Sequence, residues 1–217
     1  MTIFVPLLNT LIMQLTELID SIIADNDLHA RWLNTLSMME NTGARKIAAA
    51  EDKVLVDLLM LKHAAEESRH AYYLKKQIQK IDTAACPTYE PAYLIAPTES
   101  HAYLNRLDVQ ICRYLKKTFG YEGTTLKYAA YLLVTYAIEV RADELYPIYQ
   151  DALTATGSRV QVKSIIVEEE GHLAEMLRQM EMFFSDWHPH AEKAVAIETE
   201  LYNQWVASLS TYLIAAA

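Results

Sequence analysis

An all-α bundle is the fold class this sequence predicts, and three observations predict it. Apolar residues recur at helical spacing along nearly the whole chain, and no segment alternates convincingly as a strand. Only 5 Gly and 6 Pro punctuate 217 residues, too few for the frequent turns of a β-sandwich. With 52% hydrophobic residues, a chain of this length can bury a sizeable core as one domain. The elements follow in order. A lead helix is expected over about 6–24, with Pro6 at its start, where a missing N–H costs little, and the acidic turn Asp25-Asn26-Asp27 at its end. A second helix is expected over about 27–49 and a third over about 52–81. Pro87, Pro91 and Pro97 mark 82–97 as the one clear loop. The next helix, about 98–119, stops at Gly120, and the one after it, about 124–156, stops at Gly157. Ser158 with Gln161 has the spacing of a capping box for a helix reaching about 185. His188-Pro189 opens a last helix, to about 214.

Composition excludes several function classes. The 28 acidic and 19 basic side chains leave a net charge of −9, the wrong sign for a protein held by phosphates, so nucleic acid is disfavoured as a partner. No Gly-rich phosphate loop of the GxGxxG or GxxxxGK[ST] kind occurs. Cys86 and Cys112 form no CxxC pair, which fits a reduced, cytoplasmic setting better than a disulfide framework. The apolar start MTIFVPLLNTLIMQL has no Lys or Arg ahead of it and no small-residue cleavage site, and Glu17 and Asp20 follow at once. It is therefore expected to pack as a helix rather than to act as a signal peptide or a membrane span.

The informative residues are polar ones on apolar stripes, because burying an unpaired charge is costly. On the third helix the stripe reads Val56, Met60, His63, Glu67, His70, Leu74, Ile78, which puts Glu67 and His70 on a core face. On the 158–185 helix it reads Val162, Ile165, Glu169, His172, Met176, Met180, Phe183. Each carries one Glu-x-x-His pair, and there is no third in the chain. Random placement of 18 Glu and 7 His predicts roughly 0.6 such pairs, so two are suggestive and a further signal is needed. That signal is a lone inward Glu on the helix before each pair. Glu40 lies on the stripe Leu33, Leu36, Glu40, Gly43, Ile47, with Glu17 as its competitor. Glu139 lies on Leu132, Tyr136, Glu139, Ala142, Tyr146, with Glu144 as its competitor. Each half of the chain thus reads as a helix with one inward Glu, a turn, and a helix with an inward Glu-x-x-His. Four carboxylates and two imidazoles converging at mid-depth in a four-helix bundle are what two neighbouring metal ions require. Ionised, the four Glu supply −4 against the +4 of two divalent cations, and without cations they repel and take up protons. The mixed oxygen and nitrogen donors suit iron or manganese better than a soft thiolate metal.

With Glu40, Glu67-Ser68-Arg69-His70, Glu139 and Glu169-Glu170-Gly171-His172 in that order, the chain resembles the ferritin-like, ribonucleotide-reductase-like di-iron carboxylate proteins. The resemblance spans about 30–185 and implies a ferritin-like four-helix bundle, its core over about 27–185. It also implies a long crossover and additional helices at the N-terminus, in the crossover and at the C-terminus. It implies two iron ions, with manganese or a mixed Fe/Mn pair as the variant, held by Glu40, Glu67, His70, Glu139, Glu169 and His172. In that pattern Glu67 and Glu169 are the bridging carboxylates, and Glu40 and Glu139 the terminal ones. Two complete Glu-x-x-His motifs are most similar to the bacterial oxidases and oxygenases of the family, among them aldehyde-deformylating oxygenases and tRNA-modifying hydroxylases. Storage ferritins usually lack the second motif, and rubrerythrins usually add a Cys-rich unit that Cys86 and Cys112 cannot build.

The resulting expectation is an enzyme that activates O2 to oxidise or hydroxylate a small, apolar organic substrate, with electrons from an external donor. Its rivals are a ferroxidase, iron-storage or peroxide-protective role, a tRNA hydroxylase, and a metal-free interaction bundle with solvated Glu faces. Three further residues are singled out near the ligands. His63 reads as a core histidine or a support for the site, and Tyr136 as a core residue or a hydrogen-bonding tyrosine one turn before Glu139. Asp143 reads as a carboxylate that orients a ligating histidine. Trp32, Trp187 and Trp205 read as core or interface anchors, and dimerisation through the lead and last helices is the expected assembly.

Overall fold

Two of the helix starts are set by aspartates whose side chains satisfy free backbone amides. The computed structural model describes residues 15–216. A first helix, α1, covers 15–24 of these and buries Leu18, Ile19 and Ile22; the start expected at Pro6 lies outside the described residues. The Asp25 carboxylate accepts from the amides of Asp27 and Leu28 at 2.8 and 3.0 Å and so opens α2, Asn26–Ala50.

The third helix begins later than expected. Asp52 turns its carboxylate onto the amides of Val54 and Leu55 at 2.8 and 2.9 Å, which holds 51–57 in a turn. Asp57 then caps α3, Leu58–Ile78. Val56, placed on the ligand stripe by its spacing, lies outside the helix and is exposed, whereas Met60 through Ile78 keep their buried face. The loop that follows contains one 3-10 turn, Pro91–Tyr93. Pro97 occupies the first turn of α4, Pro97–Phe119, and Gly120 closes it with φ 69°.

The next helix, α5, runs Gly123–Ala155 and carries Pro147 inside it, which removes one intrahelical bond. Its end is a Schellman turn. Gly157 has φ 64°, and the Ser158 amide reaches back to the Leu153 carbonyl at 2.9 Å. The capping box expected at Ser158 and Gln161 does not form. Ser158 Oγ accepts from the Val160 amide instead, and α6 starts at Lys163 and ends at Phe183. The amides just ahead of it are capped from a distance, Gln161 by Gln77 Oε1 at 3.1 Å and Val162 by Gln150 Oε1 at 2.8 Å. The last helix, α7, is His188–Ala216.

Cross-helix contacts give the topology. Ser37 bonds Ala71 while Gly43 faces Glu67, so α2 and α3 are antiparallel. Lys62 meets Glu175 while Gln77 meets Gln161, so α3 and α6 are antiparallel too. Tyr128 meets Gln179 while Gln150 meets Val162, which makes α5 antiparallel to α6 and parallel to α3. Two successive bundle helices that point the same way need a long return, and the segment 79–122 with α4 supplies it. Among the described residues the architecture is an all-helical bundle with no strand. Trp205 of α7 stacks on Trp32 of α2 at 5.8 Å and on Tyr103 of α4 at 5.6 Å, which locks the outer helices to the bundle. No described helix is long and apolar enough to cross a membrane.

Candidate metal centre

Half-way along α2, α3, α5 and α6, the apolar stripes are interrupted together. Glu67, His70, Glu139, Glu169 and His172 are all buried there, and Glu40 is largely so, with its side chain 13% exposed. Periodicity brings each residue to the core face of its own helix, and antiparallel packing brings the four faces to one depth. The competitors fall away: Glu17 is exposed, and so is Glu144, which is paired with Arg141.

The donors form two overlapping groups. Glu40, Glu67, His70 and Glu169 each place one ligand atom within 4.8 Å of the others, and so do Glu67, Glu139, Glu169 and His172. Glu67 and Glu169 belong to both groups. Glu169 divides its oxygens between the histidines, with Oε1 2.9 Å from His70 Nδ1 and Oε2 3.1 Å from His172 Nδ1. His70 Nδ1 also lies 3.7 Å from Glu40, and His172 Nδ1 3.4 Å from Glu139. Both imidazoles therefore aim Nδ1 inward.

Their outer nitrogens are held crosswise. His70 Nε2 of α3 meets Glu168 of α6 at 3.0 Å, and His172 Nε2 of α6 meets Glu66 of α3 at 2.8 Å. A proton on each Nε2 leaves Nδ1 with a free lone pair, the tautomer a metal ligand needs. Arg69 clamps Glu168 with Nε at 3.1 Å and with Nη2, and Lys62 lies 3.8 Å from Glu66. This was the role expected of Asp143, which the structure leaves exposed on α5. Glu66 and Glu168 were not singled out from the sequence. Their signal was there all the same, since both motifs read Glu-Glu-x-x-His.

The other two singled-out residues also find their places. His63 is buried with its ring centroid 4.9 Å from that of His172, and bonds Tyr131 at 2.8 Å and Glu175 at 2.9 Å. Tyr136 is half-buried and bonds no ligand; the tyrosine that does is Tyr146, whose hydroxyl donates to Glu40 Oε1. Gly43 stands against the cluster, and a Cβ there would come 3.2 Å from Glu67 Oε2.

Electrostatics follow from burial and crowding. Burial, then the charges of Glu40, Glu169 and Glu139, pushes the Glu67 carboxyl well above its ordinary range. Burial and then Glu169 raise Glu139 in the same way. Burial acts to raise Glu169 as well, yet Glu139, His172 and His70 together outweigh it and hold that carboxylate low. Burial opposes charge on His70, but the adjoining Glu169 and Glu40 push it up to about 11. His172 is raised by Glu169 and Glu66 against its own burial. Left to itself, such a cluster must hold protons where cations would serve.

The residues present fit a pair of metal ions. Glu139 Oε2 is buried and makes no hydrogen bond, a state that costs about 1–3 kcal/mol unless a donor or a cation meets it. All the donors are carboxylate oxygen or imidazole nitrogen, the set that hard and borderline divalent ions prefer. One wall of the cluster opens on an apolar cavity of about 400 Å³ between α2, α4 and α5, which Glu40, Glu67 and Glu139 reach from the side. Comparison with protein-family models, with curated proteins and with solved structures finds no match for this chain.

Proposed function

We propose that this chain is a non-haem di-iron carboxylate oxygenase or oxidase that uses O2 to oxidise a small, largely apolar organic molecule. The observation that carries the reading is the pair of ligand groups overlapping at Glu67 and Glu169 beside an apolar cavity. The order of the ligands along the chain and the crossover between parallel α3 and α5 support a ferritin-like arrangement. Glu40 and His70 would hold one ion, Glu139 and His172 the other, and Glu67 and Glu169 both. Iron is the metal proposed, and manganese or a mixed pair fits the same donors. When bound, the pair supplies the redox chemistry with O2 that amino-acid side chains lack.

The chain's own residues do the rest. Glu168 and Glu66 hold the histidine tautomers, and Tyr146 donates a hydrogen bond to Glu40. The aliphatic walls contributed by Leu36, Ile47, Val134 and Ile138 exclude water and accept an apolar body. Away from the cluster the one carboxylate lining the cavity is Asp108, which is paired with Lys46 at 3.0 Å, and this favours an organic substrate over iron as the substrate. Electrons come from a separate donor.

An anaerobic titration of the full chain with ferrous iron, followed by admission of O2 and watched by absorbance, tests the proposal. Saturation at two irons per chain and a transient absorption band after O2 are expected, both lost in Glu67→Ala and Glu169→Ala. Uptake of many irons per chain would transfer the assignment to storage. No uptake, with Glu67→Ala indistinguishable from the parent, would sink the metal centre.

A further inference from the structure

A second pocket, sharing no residue with the carboxylate cluster, opens at the end of the bundle where α6 begins. Asn26 and His29 of α2 line it, with Lys80 just past α3 and Ser158 and Arg159 between α5 and α6. Its volume is about 260 Å³, the room of roughly nine waters at about 30 Å³ each, so it suits a small ligand. Among the described residues no carboxylate lines it.

What lines it is a set of hydrogen-bond donors. Lys80 Nζ gives one bond, to the Arg159 carbonyl at 3.1 Å. Neither Lys80 nor the Arg159 guanidinium has an ion pair among the described residues. Ser158 Oγ accepts from the Val160 amide at 3.2 Å, which leaves its own O–H free, and the Asn26 side chain is uncommitted. The nearest acids in the chain are engaged elsewhere: Asp25 caps two amides, and Asp27 pairs with Arg31 at 2.8 Å.

His29 is the deepest of the set, only 3% exposed. Its Nε2 lies 2.7 Å from the Tyr149 hydroxyl. Tyr149 is fully buried and has no other acceptor among the described residues, so its O–H points at Nε2 and the ring proton sits on Nδ1. Burial keeps the ring neutral, with its pKa lowered to about 4. Nδ1 is not sealed from solvent and has no partner among the described residues, so the acceptor it lacks must come from the pocket that His29 lines. Lys80 and Arg159 follow the ends of α3 and α5, where cations offset the helix dipoles. That explains their charge, but not their meeting with a buried N–H that lacks an acceptor.

From this convergence we propose that the pocket binds a single phosphate group, as inorganic phosphate or as a small phosphomonoester. Two cations balance a dianion, and arginine, lysine and the neutral donors suit its several oxygens. Ile23, Ile81 and Val160 supply a short apolar wall for the carbon part of an ester. The bound group would join the end of α3 to the turn just ahead of α6, the helix that carries Glu169 and His172.

The test is calorimetric titration of the metal-free full chain with sodium phosphate at about pH 8, where a phosphomonoester is dianionic. Removing metal keeps phosphate from binding at the carboxylate centre. One phosphate per chain is expected, with acetate at least about tenfold weaker. Lys80→Ala and Arg159→Ala, both at exposed positions, are each expected to weaken phosphate about tenfold or more, and Lys76→Ala, an exposed cation outside the pocket, to leave it unchanged. Hydrogen exchange is expected to slow on binding at 156–162. Glycerol phosphate tighter than phosphate identifies an ester as the ligand, and equal or weaker binding identifies free phosphate; both keep the site. No saturable binding, acetate equal to phosphate, or losses in Lys80→Ala and Arg159→Ala no larger than in Lys76→Ala overturns it. Iron uptake does not enter this measurement, so the pocket and the metal centre fail separately.

Discussion

His70 and His172 each have one ring nitrogen committed to a carboxylate on the opposite helix, and that commitment leaves the other nitrogen free to ligate. Glu66→Gln and Glu168→Gln keep the size of the partner and remove its charge. Each is expected to weaken divalent-metal affinity about 10–100-fold in a calorimetric titration. The same substitutions should barely move the unfolding midpoint of the metal-free chain, because both carboxylates are roughly a third exposed, where ion pairs add little. Unchanged affinity would mean that the crossed pairs do not orient the rings. Gly43 separates stability from binding in a different way. Gly43→Ala removes a glycine from mid-helix, a gain of up to about 1 kcal/mol, but brings a methyl within 3.2 Å of Glu67 Oε2. The metal-free protein is expected to unfold at the same or a higher denaturant concentration, while metal affinity falls. Affinity equal to the parent would show that Glu67 has room to yield.

Helix α6 carries Glu169 and His172, and its start is secured by partners remote in sequence. Gln150 of α5 accepts from the buried Val162 amide, and Gln77 of α3 from that of Gln161. Gln150→Leu leaves the Val162 amide buried without an acceptor, at an expected cost of about 1–3 kcal/mol in urea unfolding. Ser158→Ala, which removes only a part-buried 3.2 Å bond to Val160, is expected to cost less than about 1 kcal/mol. A capping box at Ser158 would reverse that ranking, so the pair of measurements decides which side chains start the helix. The displaced start of α3 has a related cause. Two aspartates, Asp52 and Asp57, compete to turn the chain, and the second begins the helix because the first has already closed a turn of its own.

On the scale of the whole molecule, the cluster ties stability to pH. Glu67 and Glu139 have folded pKa values raised above the ordinary 4.5, so the folded chain binds more protons than the unfolded one once pH passes that value. Their contribution is complete at low pH and is lost as pH rises through the raised values. His70, raised to about 11, and His172, also raised, act with the same sign above 6.5. Glu169 is lowered and acts with the opposite sign, but only where pH falls below 4.5. The metal-free protein should therefore lose thermal stability as pH climbs from about 6.5 to 9, and divalent metal should remove the loss by replacing the protons. Melting temperatures at several pH values, with and without metal, check this. A metal-free midpoint that is flat or rising over that range contradicts the buried, proton-sharing cluster.

Glu40, Glu67, His70, Glu139, Glu169 and His172 were legible as inward-facing residues because a helix repeats every 3.6 residues, which makes the buried face a property of the chain itself. The helical class and most helix ends were legible for the same reason, through local caps such as Asp25, Gly120 and Gly157. Other features depend on residues about a hundred positions apart and on how helices lie against one another. Glu66 and Glu168 flank the stripe and read as solvated charge until α3 and α6 are laid side by side. Tyr136 and Tyr146 share one stripe, and only the approach of α2 decides that Tyr146 is the one to meet Glu40. The cavity beside the cluster was invisible for a physical reason. A Leu or Ile facing another helix and a Leu or Ile facing a cavity have the same periodicity and hydropathy. They differ only in the distance between helix axes, which no single segment encodes.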